Sequence, residues 1–475
     1  MEKRMDKEKS GRIPSTKEAT IALILVIIAI LVSLQTALVL EIALVFGTIM
    51  ATLVAFYLGN KWDTIQEGMI QGIKNGMGAI LILIVIGMVI GTWILGGTIQ
   101  TMIYYGLNIL SPGIFLPAAF ILCAITSLLI GSSLGTMATM GIVLIGVSEG
   151  LGIPKGLAAG AIVAGSMFGD KVSPMSDSTN LTAAMAGTNL FSHVKSMLYV
   201  LGPAALISIA VYAIMGGSYA SGGEMDNALV SEILATLKSN FNISALTLIS
   251  PAIVIILSIK KVPAIPALVV SFLTSSIFAV LTQGAGFEDI INVGATGYVA
   301  ETGHELIDGL LTQGGILSMM STVAIITVGT AMGGILEKIG VLQVLLNAMM
   351  ERVKKPRDLI FVTLASTYVM LLATGEMMVS IIVPGRTLDP AYRKLKVNSS
   401  VLSRTLETAA TLGCGILPWG VVSVYARGVL GVGLEYIPYA FLGFLAPIIA
   451  IIFAITGFAT FRVKDEEEKS VITNA

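Results

Sequence analysis

Residues 19–40, 42–59, 78–97 and 438–458 contain no charged side chain. A helix of that length reaches across a hydrocarbon core about 30 Å thick, at about 1.5 Å of rise per residue. Inside lipid every backbone polar group must be satisfied within the fold, which leaves bundled helices or a closed barrel. These runs show no strand-period alternation, which excludes the barrel. The chain therefore reads as an all-α polytopic membrane protein. Charged residues make up 12% of its 475 residues, about half the share in a soluble domain, which agrees.

Several function classes drop out at this point. Net charge is −1 and the basic residues are dispersed, so nucleic acid is not an expected partner; the lipid bilayer is. Cys123 and Cys414 are the only cysteines, too few for a disulfide framework or a metal cluster. GTWILGGT (91–98) and GSSLGT (131–136) follow no strand and are not nucleotide fingerprints. Neither an ATP-driven pump nor a soluble enzyme is expected, and no cofactor. The N-terminus MEKRMDKEKSGR resembles no cleavable signal, because the apolar run after it is longer than a signal's.

Lysine and arginine are unevenly placed. The N-terminal tail carries six, residues 337–358 five and residues 384–404 five, whereas 98–111 and 284–312 carry none. The positive-inside rule puts the first three in the cytoplasm and the last two outside. Both termini are then cytoplasmic, and residues 217–244 lie outside. The second half repeats the first half's order upside down. IGTWILGG (90–97) pairs with VGTAMGGIL (328–336), SLLIGSSLGTMATMG (127–141) with MLLATGEMMVSIIVPG (370–385), and GDKVSP (169–174) with GCGILP (413–418). A polar amphipathic stretch precedes each set, at 62–76 and 286–309. The expected layout is a cytoplasmic tail (1–17), a first inverted repeat (18–215), an external linker (216–244), a second inverted repeat (245–462) and a cytoplasmic tail (463–475). Inverted repeats with interrupted helices are an architecture of secondary transporters. Residues 359–383, flanked by basic residues on both sides, read as a re-entrant hairpin with its tip at 373–376. Its counterpart has the tip Gly131-Ser132-Ser133, although its arms are long enough for two full crossings.

Two polar runs interrupt the apolar pattern. In GDKVSPMSDSTN (169–180), Pro174 disfavours helix at Ser173 and Gly169 relaxes the backbone. The helix should unwind through 169–176 and restart near Ser178. Freed carbonyls with Ser173, Ser176, Asp177, Thr179 and Asn180 offer oxygen ligands to a small alkali cation, and the restarted helix offers its positive end to an anion. Asp177 could instead cap that helix, and Asp170 and Lys171 could form a structural pair. In SRTLETAATLGCGILPWG (403–420), Glu407 is the leading second carboxylate, with surface pairing to Arg404 as the alternative. Glu376 at the hairpin tip is a third candidate, since an intramembrane carboxylate marks function by default. Trp419 reads equally as a cavity wall or a packed ring. His193 and His304 read as residues of a membrane boundary and an amphipathic polar face, in preference to a proton relay.

GSSLGT (131–136), FGDKVSPMSDSTNL (168–181), TGE (374–376), VPGR (383–386), SRTLE (403–407) and LPW (417–419) together resemble the NhaC family of sodium/proton antiporters. The likeness runs from about residue 20 to 460. That family also contains sodium-coupled malate/lactate antiporters and some amino-acid carriers. The resemblance implies the ion-transporter-superfamily fold, with a scaffold that dimerises and a transport domain carrying two re-entrant hairpins that moves as an elevator. By motif it implies Asp170, Ser173, Asp177, Thr179 and Asn180 as ion or substrate ligands, with Asp170, Asp177 and Ser173 on Na+. Ser132, Ser133, Thr136, Thr374, Glu376 and Glu407 stand alongside. Leu134 where the family often has tryptophan, and Thr408 with GCGILPWG where it is more polar, favour an organic cargo. The leading expectation is sodium/proton antiport across the cell membrane, with Na+ and H+ competing for carboxylates, chiefly Asp170 and Asp177 with Glu407. The alternative is exchange of a small carboxylate or amino acid coupled to the same ions. A channel or sensor is the third possibility, disfavoured by interrupted helices in both halves.

Overall fold

The computed structural model describes residues 11–35, 40–221, 227–260 and 262–462. The first half forms α1 (Thr16–Gln35), α2 (Leu40–Tyr57), α3 (Trp62–Leu95), α4 (Thr98–Ile109), α5 (Pro112–Ile130), α6 (Ser133–Gly150), α7 (Lys155–Val172), α8 (Asp177–Met185) and α9 (Leu190–Ser221). After α10 (Asn227–Asn240), the second half forms α11 (Ile249–Ile259), α12 (Ala264–Gln283), α13 (Phe287–Thr296), α14 (Glu305–Leu311), α15 (Met320–Lys338) and α16 (Val341–Met350). It ends with α17 (Pro356–Thr374), α18 (Met377–Lys394), α19 (Ser399–Cys414), α20 (Val421–Leu430) and α21 (Phe441–Thr456). Among the described residues the only β-pairings are two isolated bridges. Nine helices there are long and apolar enough to cross a membrane. Ile24, Leu53, Ile214 and Leu273 point outward from them, an apolar surface that lipid matches and water does not.

One succession of elements occurs twice: a helical hairpin, then an interrupted helix. The hairpin arms and the two parts of the interrupted helix begin at 112, 133, 155 and 177, and again at 356, 377, 399 and 421. Every start is thus displaced by the same 244 residues. Each hairpin turns on a glycine in the left-handed region, Gly131 (φ 73°) and Gly375 (φ 64°), followed by an N-cap side chain. The Ser132 hydroxyl accepts from the Gly135 amide, and the Glu376 carboxylate accepts from the Val379 amide. The halves then exchange partners. α8 packs on α18 and α19, while α20 packs on α6 and α15. Tyr425 of α20 donates to the Leu134 carbonyl just past the first hairpin tip. Thus the second part of each interrupted helix braces the hairpin of the opposite half.

Several expectations are corrected. The helix before Pro174 does not unwind at Gly169; α7 continues to Val172, and only residues 173–176 leave helical geometry. Gly169 is there for closeness, because a Cβ on it would lie 2.0 Å from the Ala124 carbonyl oxygen of α5. The second hairpin is longer than residues 359–383, since Arg386, Arg393 and Lys394 belong to α18 and not to a flanking loop. Its first arm, 19 residues, is about 28 Å long and by length alone could cross the membrane. The stretch 62–76 is fused with the span after it into the 34-residue α3, whereas 286–309 is divided by irregular backbone at 297–304. The stretch 217–244 is mostly helical, in the end of α9 and in α10, with residues 222–226 outside the described set. Residues 1–10 and 463–475 of the two tails also lie outside it.

Candidate functional site

α7 and α19 lie within the bundle, and nearly every side chain of both is buried. Each ends in an interruption, so the polar residues near their ends meet backbone groups and side chains released from helical pairing. Asp170 and Lys171 occupy the last turn of α7. The Lys171 ammonium donates to Asp170 Oδ2 at 2.8 Å and to Ser178 Oγ at 2.5 Å, and lies 3.2 Å from Glu407 Oε1. Its three protons therefore have three oxygen partners. Ser178 Oγ, in turn, donates to Glu407 Oε1 at 2.9 Å, and the Thr182 hydroxyl donates to Glu407 Oε2. Across the cluster, Ser133 Oγ at the start of the first hairpin's second arm donates to Asp170 Oδ2 at 3.0 Å. Asp170, Lys171 and Glu407 are 5%, 0% and 0% exposed. The network joins the first hairpin, both parts of the first interrupted helix and α19.

Glu407 is thus not a surface residue paired with Arg404. Arg404 points to the other end of α19, where it donates to the Ala459 carbonyl and stacks on Phe461.

Helical periodicity decides which residues of the SDSTN run join the cluster. Ser178 and Thr182, four apart, face Glu407; Asp177 and Asn180 are exposed on another side. Asp177 is not the cap, a role taken by Ser176, whose hydroxyl accepts from the Thr179 amide. Asn180 donates to the Pro174 and Ser176 carbonyls. Ser173 and Thr179 are buried but engaged: Ser173 Oγ donates to the Leu128 carbonyl, and Thr179 Oγ1 donates to the Asp170 carbonyl. Of the hairpin residues, Ser133 reaches the cluster. Ser132 caps α6, and Thr136 donates to the Ser132 carbonyl beside a π-helical turn at Met137–Gly141. Such turns concentrate at functional sites.

The second tip is a separate locus. Thr374 donates to the Met370 carbonyl and Glu376 is buried as the cap of α18. The second interruption closes over this tip through the Val421 amide on the Gly375 carbonyl (2.8 Å) and Trp419 Nε1 on the Leu372 carbonyl (2.9 Å). Trp419, 5% exposed, is a packed ring.

Lys171, Ser178 and Thr182 are members of the cluster beyond the sequence-derived candidates. Lys171 had a legible signal, a lysine beside an aspartate in an apolar run, which also fits a structural pair. His193 is fully buried in the first turn of α9. His304 does lie on the polar loop, with Nε2 at 3.6 Å from Glu232.

A profile of the Na+/H+ antiporter family matches residues 10–179 and 165–458. A Na(+)/H(+) antiporter, NhaC, of Alkalihalophilus pseudofirmus is 38% identical over 86% of this chain and 88% of its own length. A malate-2H(+)/Na(+)-lactate antiporter of Bacillus subtilis is 37% identical over 89% of this chain and 90% of its own. An arginine/ornithine antiporter, ArcD, of Halobacterium salinarum is 34% identical over 89% and 88%. With most of its length matched by both the profile and these transporters, the chain belongs to the Na+/H+ antiporter family.

Proposed function

We propose that this protein exchanges sodium for protons across the cytoplasmic membrane, the two cations competing for the Asp170–Glu407 carboxylate pair. One observation carries the reading. Two buried carboxylates share one buried ammonium, which leaves one negative charge unmatched in the cluster. An uncompensated buried charge costs several kcal/mol, so the site draws in one further monovalent cation. Sodium suits it, because the carboxylates and the hydroxyls of Ser133, Ser178 and Thr182 are hard oxygen donors. A proton on either carboxyl neutralises the cluster equally well. Both cations together would leave it positive, so each excludes the other, and that exclusion is the coupling. Lys171 fixes the charge at a value one cation can balance. Ser173, Asp177, Thr179 and Asn180, bonded elsewhere or exposed, act on the site through the shape of the interruption. Glu376, Thr374, Ser132 and Thr136 hold the hairpin tips.

Exchange without leak needs the site to face one side at a time. The two braced hairpins and interrupted helices support an elevator motion of that core against the remaining helices. The basic N-terminal tail supports cytoplasmic termini, and family resemblance supports a homodimer; cross-linking in native membranes tests the latter.

A second reading is favoured by the malate/lactate and arginine/ornithine antiporters among the relatives: the same cation site driving a small carboxylate or amino acid. Proteoliposomes with a luminal pH dye separate the two. Sodium added outside a sodium-free lumen should alkalinise the lumen with no organic solute present, and E407Q should abolish the signal. A response that requires malate, lactate or an amino acid would overturn simple antiport.

A further inference from the structure

Tyr425 is fully buried in the second turn of α20, which packs between α6 of the first hairpin and α15. A buried phenol needs a partner for its hydroxyl. Here the partner comes from the opposite half: Tyr425 Oη donates to the Leu134 carbonyl at 3.1 Å, 291 residues away in sequence. Leu134 lies in the four-residue first turn of α6, Ser133–Thr136, whose backbone then passes into the π-helical turn Met137–Gly141. The same turn carries Ser133, whose hydroxyl donates to Asp170 Oδ2 at 3.0 Å. One short turn is therefore tied at two neighbouring residues, to α7 by a side chain and to α20 by a carbonyl. The seat of α20 is itself tight. Leu430 Cδ2 would lie 2.9 Å from a Cβ on Gly141 of α6, and on the other side Gly428 meets Thr322 of α15 with no room for a side chain. Packing this close passes a shift of α20 on to the hairpin instead of absorbing it.

We propose that Tyr425 is a positioning residue for the sodium site, its hydroxyl holding the first hairpin tip where Ser133 meets Asp170. The role rests on the sodium/proton reading above. Ser133 gives its proton to Asp170 and so keeps its oxygen lone pairs free for sodium. Without the Tyr425 bond the turn keeps one tether, and the Ser133 oxygen spends less time at the distance a cation needs. The second half, which supplies Glu407 alone among the charged members of the cluster, thereby also sets the geometry of a first-half ligand.

A double-mutant cycle tests the role. Sodium Kd is measured by calorimetry at one alkaline pH for the wild type, Y425F, S133A and the double variant, with thermal midpoints recorded alongside. Y425F removes one oxygen and leaves the ring packing in place. It should raise the Kd about three- to tenfold, the worth of a neutral hydrogen bond. S133A should raise it at least as much, and adding Y425F to S133A should change it by less than about twofold, because both act through the same hydroxyl. In proteoliposomes the sodium KM of Y425F should rise by the same factor, with the maximal rate within about twofold of the wild type. A Y425F Kd within about twofold of the wild type, or two effects that multiply in the double variant, would overturn the role. So would a lower maximal rate at unchanged KM. A wild type that binds no sodium would overturn the reading on which the role rests.

Discussion

At the residue scale, the account turns on which carboxylates share Lys171. Asp170 and Glu407 do, and Asp177 does not. D170N and E407Q should each reduce sodium-driven proton flux by at least about a hundredfold, the scale of a lost transferring or charge-stabilising group. D177N should keep flux within about threefold by the same comparison. Transport measured in the three variants under one gradient checks this; a D177N as inactive as D170N would contradict it. Removing the ammonium acts on stability as well. K171M leaves two facing carboxylates with no counter-charge, and breaking a buried pair from one side costs about 3–5 kcal/mol. Its thermal midpoint in detergent should fall, and should recover partly at acidic pH as a carboxyl takes up a proton. Asp170, Ser133 and Glu407 are legible in the sequence because each is polar in apolar surroundings. Ser178 and Thr182 are not. Their membership depends on the rotational phase of α8 against a helix more than 200 residues away, which no local pattern encodes.

At the element scale, α7 must lie close on α5 to bring Asp170 to Ser133. Gly169 makes this possible, and the Cβ of an alanine there would collide with the Ala124 carbonyl. G169A should cost about 1–3 kcal/mol of stability as overpacking, read as a lower thermal midpoint. It should also weaken sodium binding, because the helices part at the cluster. An unchanged midpoint would show that the contact yields freely. Outside the candidate membrane spans, the Thr302 hydroxyl and the Thr302 and Gly303 amides bond the Asp308 carboxylate and hold its pKa below the usual value. A depressed carboxylate pKa gives stability that is present above the ordinary value, about pH 4, and is lost as pH falls through the folded value. The protection factors of the amides at residues 302–303 should therefore fall on acidification below that range, and D308N should show the reduced protection at neutral pH. The tips and the interruption near Pro174 are legible because glycine and proline restrict the backbone directly. Helix extent is less so, since Gly169 carries opposite meanings in a loop and in a tight helix contact.

At the scale of the whole molecule, the 244-residue repeat of hairpin and interrupted helix places two similar units face to face, but their chemistry is unequal. The first unit supplies Asp170, Lys171, Ser178 and Thr182, and the second supplies Glu407 alone among the charged members. The 415–420 interruption is sealed instead by backbone contacts and Trp419. Repetition in a sequence therefore shows how the chain is built, while the division of charge between the halves emerges only when they pack. On the proposed reading the cluster balances one cation, sodium or proton. Calorimetric titration of sodium into purified protein over a series of pH values, in buffers of different ionisation enthalpy, tests it most directly. The account predicts one proton released per sodium bound and an apparent Kd that rises about tenfold for each pH unit of acidification, about 1.4 kcal/mol. A sodium affinity independent of pH, with no proton released, would contradict it.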